Sequence, residues 1–369
     1  MQARLQIKLM AGAALVVVAT AVGGVTPYAA GGPTVFATGL NNPRGLALDE
    51  RGNLYVAEGG TGGSTSTVGQ CTQATGAGPY TGGFTASISK VSRNGTRTTV
   101  ASGLPSSQTN PTIGSLVSGV ADVGFAEEDQ LVALISGAGC SHGLKGTSNS
   151  LVRVHKNGST TMIADLSAFI AAHPVANPDT GDFEPDGTWY SFVAADDVIY
   201  AVNPNGQELD KISEDGHVSR VVDFSTTYPG VTDWRGPTTI VKRGHFLYVG
   251  TLTTFPSKKG AAQVFKVDPS NGTFSVYQAN LSTVLGLAFG EDGALYALEM
   301  SAVDGGPAPG TGDVVRIKGN QRTVIASGLN FPTGLAVGHG AAYVSVNGFG
   351  APPGAGKILK ITLPDEGDD

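Results

Sequence analysis

The stretch NNPRGLALDERGNLYVAE, Asn41 to Glu58, reads as an apolar strand, a charged turn holding Gly52, and a second apolar strand. Short apolar runs bounded by Gly, Asn, Asp and Pro are the sequence form of short, well-covered strands. The same plan returns as VSGVADVGFAEEDQLVALI (Val117 to Ile135), WYSFVAADDVIYAV (Trp189 to Val202), RGPTTIVKRGHFLYVGTL (Arg235 to Leu252), VLGLAFGEDGALYALE (Val284 to Glu299) and PTGLAVGHGAAYVSV (Pro332 to Val346). One apolar marker from each first strand gives Leu46, Val120, Phe192, Ile240, Leu287 and Leu335, spaced by 74, 72, 48, 47 and 48 residues. The last three spacings define the unit, and their length is that of a four-stranded propeller blade.

A second strand pair follows each first pair, as SISKVS and RTTVA around Asn94-Gly95, and LVRVH and TTMIA around Asn157-Gly158. Asn-Gly favours such hairpins because both residues accept the positive φ of a type I′ turn. The sixth unit stops at its third strand, GKILKITLP. The N-terminal TVFATGL (Thr34 to Leu40) resembles a fourth strand, TVIASGL (Thr323 to Leu329). Laid beside Lys357 to Ile361, it closes the ring and removes the exposed edges. The expected fold is therefore an all-β, six-bladed β-propeller over residues 31–363, with an acidic tail at 364–369.

The two long intervals imply insertions, Gly59 to Ala86 and Ser136 to Ser150, on the face that also carries the blade-to-blade loops. Each insertion holds one of the two cysteines, Cys71 and Cys140, and a disulfide between them pins the two loops together. Loops of this kind are where repeat folds carry function.

Composition agrees with a turn-dense β protein, with 54 Gly and 20 Pro among 369 residues and 14% charged residues. A net charge of -7 without a Lys/Arg stripe excludes a nucleic-acid partner. Arg4, Lys8, the apolar run Leu9 to Val22 and the small pair Ala29 and Ala30 form a signal-peptide layout, residues 1–30, with no nearby Cys for lipid attachment. No segment is long enough for a stable membrane anchor, so the expected location is extracytoplasmic, secreted or periplasmic.

The segments DFEPDGTWYSFVAADDVIYAV (Asp182 to Val202), FLYVGTLTTFP (Phe246 to Pro256), GTGDVVRI (Gly310 to Ile317) and GLNFPTGLAVGHGAAYVSVNGFG (Gly328 to Gly350) resemble the ScyD/ScyE family. These are secreted propeller-like proteins named for the gene cluster of the cyanobacterial sunscreen scytonemin. The resemblance is close from the third blade onward and loose before it. It implies export and a propeller, and it supplies no catalytic residues.

Three patterns suggest chemistry. Gly139-Cys140-Ser141-His142-Gly143 matches G-x-S-x-G, but a nucleophile elbow needs a helix after the turn and this one lies in a Gly-rich loop. Asp182, Glu184 and Asp186, with Gly187, resemble the start of a calcium loop, and Asn177 and Asp179 could add oxygens. The twelfth position is Val193 instead of a bidentate Glu. Catalytic propellers hold a metal with acids at the entry of the first strands. The residues entering here are Arg44, Ser118, Ser191, Thr238, Leu285 and Thr333, while Glu58, Asn203, Glu299 and Asn347 at second-strand ends could lean inward.

The six His show no metal-ligand spacing, and the sequons at Asn94, Asn157 and Asn271 are hairpin turns. Aromatic residues gather near the long-loop face: Trp189, Tyr190, Tyr228, Trp234, Phe255, Phe331 and Phe349. They either pack between blades or form a stacking platform. The expected function is a binding or scaffold propeller whose face takes a protein, a glycan or a small aromatic ligand through Arg44, Trp189, Tyr190, Trp234, Arg235, Phe331 and Phe349. The alternative is a metal-assisted hydrolase or lyase, with calcium at Asp182, Glu184 and Asp186.

Overall fold

The structure, a computed structural model, describes residues 32–110, 116–195, 197–226, 236–253 and 255–363. The expected signal peptide, residues 1–30, and the acidic residues 364–369 lie outside the described residues. Six antiparallel sheets stand around one axis, in the order the repeats occur in the chain. The fourth blade shows the plan: Pro237–Arg243, Phe246–Thr251, Ala262–Val267 and Phe274–Leu281 run from the axis outward. The innermost strands of the other five are Pro43–Leu48, Val120–Phe125, Ser191–Ala195, Val284–Phe289 and Gly334–Gly338. The sixth blade is a composite of both chain ends, as expected. Thr34–Leu40 lies antiparallel to Gly356–Thr362, with Thr34 opposite Lys360 and Leu40 opposite Gly356.

The core consists of six apolar clusters, each shared by two adjacent blades. A radial sheet is covered on both faces, so alternate residues of one strand serve different clusters. In Leu131–Ile135, Leu131, Ala133 and Ile135 pack toward the first blade, and Val132 and Leu134 pack toward the third. That double coverage is why LVALI is an unbroken apolar run, buried at every position.

Strand register corrects one marker. Val120, Asp122 and Val123 pair with the second strand as Val284, Gly286 and Leu287 do in the fifth blade, each with a bulge after the first residue. The equivalent of Leu287 is therefore Val123, three residues beyond Val120. The first insertion is also less loop-like than its Gly and Thr content suggests. Thr81–Val91 and Arg97–Gln108 form an extended hairpin, joined by a fifth strand at Val117–Ser118. One helix, Leu166–Ala172, connects the second and third blades. Asp165 caps it by accepting from the Ala168 N–H at 2.9 Å.

Candidate functional site: the axial channel and its mouth

Each blade is narrowest at the axis, where neighbouring inner strands approach most closely. The residue before each marker faces the next blade, giving the ring Gly45, Asp122, Ser191, Thr239, Gly286 and Gly334. Three of the six are glycine because the next blade fills the space. A Cβ on Gly334 would come 2.1 Å from the Arg44 carbonyl oxygen, and one on Gly286 would come 2.7 Å from Leu335 Cβ. Gly45 faces Asp122, whose Oδ1 would lie 1.8 Å from an added Cβ.

Asp122 brings a carboxyl to the axis, where the entering residues named from the sequence, Arg44, Ser118, Ser191, Thr238, Leu285 and Thr333, include none. Its Oδ1 accepts from the Val123 N–H at 2.9 Å. Its Oδ2 accepts from Ser191 Oγ at 2.8 Å and from the Phe192 N–H at 3.1 Å. Burial pushes its pKa up to about 7 against the pull of these donors. Thr239 repeats the arrangement two blades on, accepting from the Leu287 N–H at 3.1 Å. The misplaced marker hid Asp122; aligning VADVGF with VLGLAF on Phe125 and Phe289 would have exposed it.

A cavity of about 250 Å³ lies on the axis, walled by the six inner strands, with the Asp122 carboxyl, the hydroxyls of Ser191, Thr239 and Thr333, and Tyr190 among its lining. One residue further toward the long-loop face stand Arg44, Ala121, Tyr190, Thr238, Leu285 and Thr333; of these Ala121, Tyr190, Leu285 and Thr333 line the cavity, and Arg44 and Thr238 lie at its mouth outside that lining. Thr238 and Thr333 tie neighbouring blades, donating to the Val284 and Pro43 carbonyls at 2.5 and 2.6 Å. Arg44 reaches across the second blade, donating to the Val117 carbonyl and, at 3.3 Å, to the Tyr190 hydroxyl. Its guanidinium carbon lies 5.8 Å from the Tyr190 ring centre. Phe331 and Phe349 stack at 6.2 Å on the sixth-blade side, both half-buried.

Trp189 does not join this group. Its indole is fully buried between the second and third blades and donates to Asp210 Oδ2 at 3.0 Å, so it presents no face to a ligand. Trp234, Arg235 and Tyr228 lie outside the described residues. The second-strand ends also turn away from the channel. Glu58 accepts from the Asn41 N–H and Glu299 from the Ser282 N–H, both at 2.7 Å, with Arg97 and Arg322 close by. Asn203 and Asn347 bond Glu208 and the Ala355 carbonyl.

The three carboxylates of the calcium-like segment diverge instead of sharing a site. Asp182 accepts from Asn205 at 2.7 Å, Glu184 accepts from the Tyr80 hydroxyl at 2.7 Å, and Asp186 accepts from the N–H and hydroxyl of Ser141. The cause is loop packing, since each acid anchors a different neighbouring segment. Among the described residues, the acids that do converge are Glu127, Asp197 and Glu214, exposed on the short-turn face.

Cys71 and Cys140 are joined, with Cα atoms 6.3 Å apart. Behind the bridge, His142 is fully buried, stacked on Tyr80 at 4.6 Å and paired through Nδ1 with Ser107 Oγ at 2.8 Å. Its Nε2 stands 3.8 Å from Glu184 Oε2. Burial lowers the His142 pKa to about 4 and raises that of Glu184. Ser141 and Ser107 are themselves fully enclosed, so these Ser–His–acid contacts tie loops of the first three blades together. Sequence reasoning missed this network, because its members come from segments with no common spacing.

No helix among the described residues is long and apolar enough to cross a membrane. No protein-family model matches the sequence, and no curated protein matches it. Solved structures with a similar fold include a streptogramin B lyase, 13% identical over 89% of this chain and 85% of that one, with a TM-score of 0.46. The virginiamycin B lyase of Staphylococcus aureus is 14% identical, over 87% and 95%, with a TM-score of 0.44. A chain of the nidogen/laminin complex is 13% identical, over 72% and 84%, with a TM-score of 0.46. At these identities the likeness is to the fold alone.

Proposed function

We propose that this chain is a binding protein that holds a small ligand at the mouth of its axial channel, on the exported propeller that its resemblance to the ScyD/ScyE family implies. The supporting observation is the cavity of about 250 Å³, walled by rigid inner strands and mixing apolar surface with a few hydroxyls at a mouth bordered by Tyr190. Concave sites of that composition, set on a preformed scaffold, are suited to small molecules. The leader-like residues 1–30 and the disulfide support an extracytoplasmic location.

The test is ligand-detected NMR on the chain from residue 31, using a panel of small aromatic compounds and sugars. Tyr190→Ala should weaken whatever binds by at least about tenfold. Phe255→Ala, at an exposed residue of the same face that does not line the cavity, should leave binding unchanged. Equal binding by the Tyr190 variant and the natural chain would place the ligand elsewhere and refute the proposal.

A further inference from the structure

Arg44 is the most buried arginine of the described residues, 7% exposed, followed by Arg316 at 9%. Arg316 is neutralised by Asp292 at 2.8 Å, and Arg220 by Glu208 at 2.6 Å. Among the described residues no carboxylate stands within ion-pair distance of Arg44, whose partners are a carbonyl and a phenol. The acid of the adjacent inner strand, Asp122, is already engaged by Val123, Ser191 and Phe192. A guanidinium withdrawn from water without a counter-charge is costly, and proteins normally pair such groups.

We infer that the missing negative charge is supplied by the ligand, and that Arg44 is the anchor for the carboxylate of a small planar acid bound at the channel mouth. This rests on the channel-mouth reading above and adds the charge of the ligand to it. Two of the five guanidinium N–H groups are spent on Val117 and Tyr190, which leaves donors for a carboxylate. A planar fork matches a carboxylate in a way a lysine ammonium cannot. The Tyr190 ring beside Arg44 favours a flat body. The adjoining cavity, which Tyr190 lines and Arg44 does not, corresponds at roughly 30 Å³ per water-sized unit to about eight such units, room for the ring of a benzoate whose carboxylate stays outside at Arg44.

The experiment is calorimetric and NMR titration of the chain from residue 31 with benzoate, its neutral isostere benzamide, and acetate. The expected result is that benzoate binds at least about tenfold more tightly than benzamide, and also more tightly than acetate. Arg44→Met should bring benzoate down to the benzamide level, and Arg44→Lys should lose most of the preference. If Arg44→Met fails to fold, the isostere comparison on the natural chain together with Arg44→Lys decides the matter. Equal binding of benzoate and benzamide overturns the anion anchor while leaving a channel-mouth binder standing. Absence of binding by all three probes up to about 10 mM, the weak end of specific affinity, overturns both. A benzoate preference that survives in Arg44→Met places the anion at another group and overturns the assignment.

Discussion

Removing the strand Thr34–Leu40 should cost the ring much of its margin of stability. In the sixth blade, Leu40 is fully buried and Ala37 nearly so. Phe36 is half-buried with its ring 5.1 Å from that of Tyr343, whereas Val35 is 57% exposed and contributes little. A buried Leu contributes about 1.5–3 kcal/mol, and half of a Phe with one methyl of Ala adds roughly 2 more, so the side chains alone supply about 4 kcal/mol. Typical net stabilities are about 5–15 kcal/mol, so this is a large share. At about 2.1 cal/mol/K per residue, an unfolding entropy near 0.7 kcal/mol/K for a domain of this length turns 4 kcal/mol into a fall in Tm of roughly 6 °C. Loss of the strand also bares the edge of Gly356–Thr362, an invitation to intermolecular pairing. The assay is calorimetry with size-exclusion chromatography, comparing chains that begin at residue 31 and at Asn41. A chain from Asn41 that stays monomeric and melts within about 2 °C of the longer one would refute closure by the N-terminal strand.

Two further outcomes follow from the axis. Because burial holds the Asp122 pKa at about 7 in the fold, against 3.8 for an ordinary aspartate, the folded chain keeps a proton that the unfolded chain releases, and this group lowers stability as pH rises from about 4 to about 7. Asp122→Asn should therefore shrink the stability difference between pH 5 and pH 8 in urea denaturation, by at most about 3 kcal/mol, since only about two units of the shift lie in that window at 1.36 kcal/mol per unit. An unchanged difference would show that the carboxyl is ionised in the fold. His142, lowered by burial to about 4, acts in the opposite sense below about 6.5 and cancels in the comparison of variant with natural chain. Gly45→Ala should destabilise by about 1–3 kcal/mol through overpacking, because its Cβ would meet Asp122 Oδ1 at 1.8 Å and Cγ at 2.6 Å. Adding Asp122→Gly should restore most of the loss. Strictly additive effects in that double-mutant cycle would contradict the contact.

The blade count, the ring closure and the cysteine pairing were legible because each leaves a local trace: a recurring strand pair, an Asn-Gly turn, two cysteines in two insertions. Register was less legible. The bulge between Val120 and Asp122 inserts a residue that no composition signal marks, so Val120 and Val123 are equally good apolar markers until the second strand fixes the pairing. The channel mouth was half visible, since Arg44 and Tyr190 meet there while Trp189, a neighbour in sequence, turns into the core. Adjacent residues of a strand point to opposite faces, so a cluster in sequence divides in space. The calcium-like segment failed for a related reason. Spacing places the oxygens along the chain, whereas Tyr80, Ser141 and Asn205, distant in sequence, decide where each one points.

The disulfide and the network behind it join only half of the ring. Cys71–Cys140, Tyr80 with Glu184, and Ser141 with Asp186 connect loops of the first, second and third blades, and the remaining three rest without a covalent link on neighbour packing, hydroxyl ties such as Thr238 and Thr333, and loop bonds such as those of Ser257 with Gly305 and Gly306. Native-state opening follows the weakest cooperative unit. In this ring, amide exchange and proteolytic nicking should therefore begin among the fourth to sixth blades, while the first three unfold as one block. The channel mouth lies on the boundary between the two: Arg44 and Tyr190 belong to the block, and the Phe331–Phe349 stack belongs to the half that opens first.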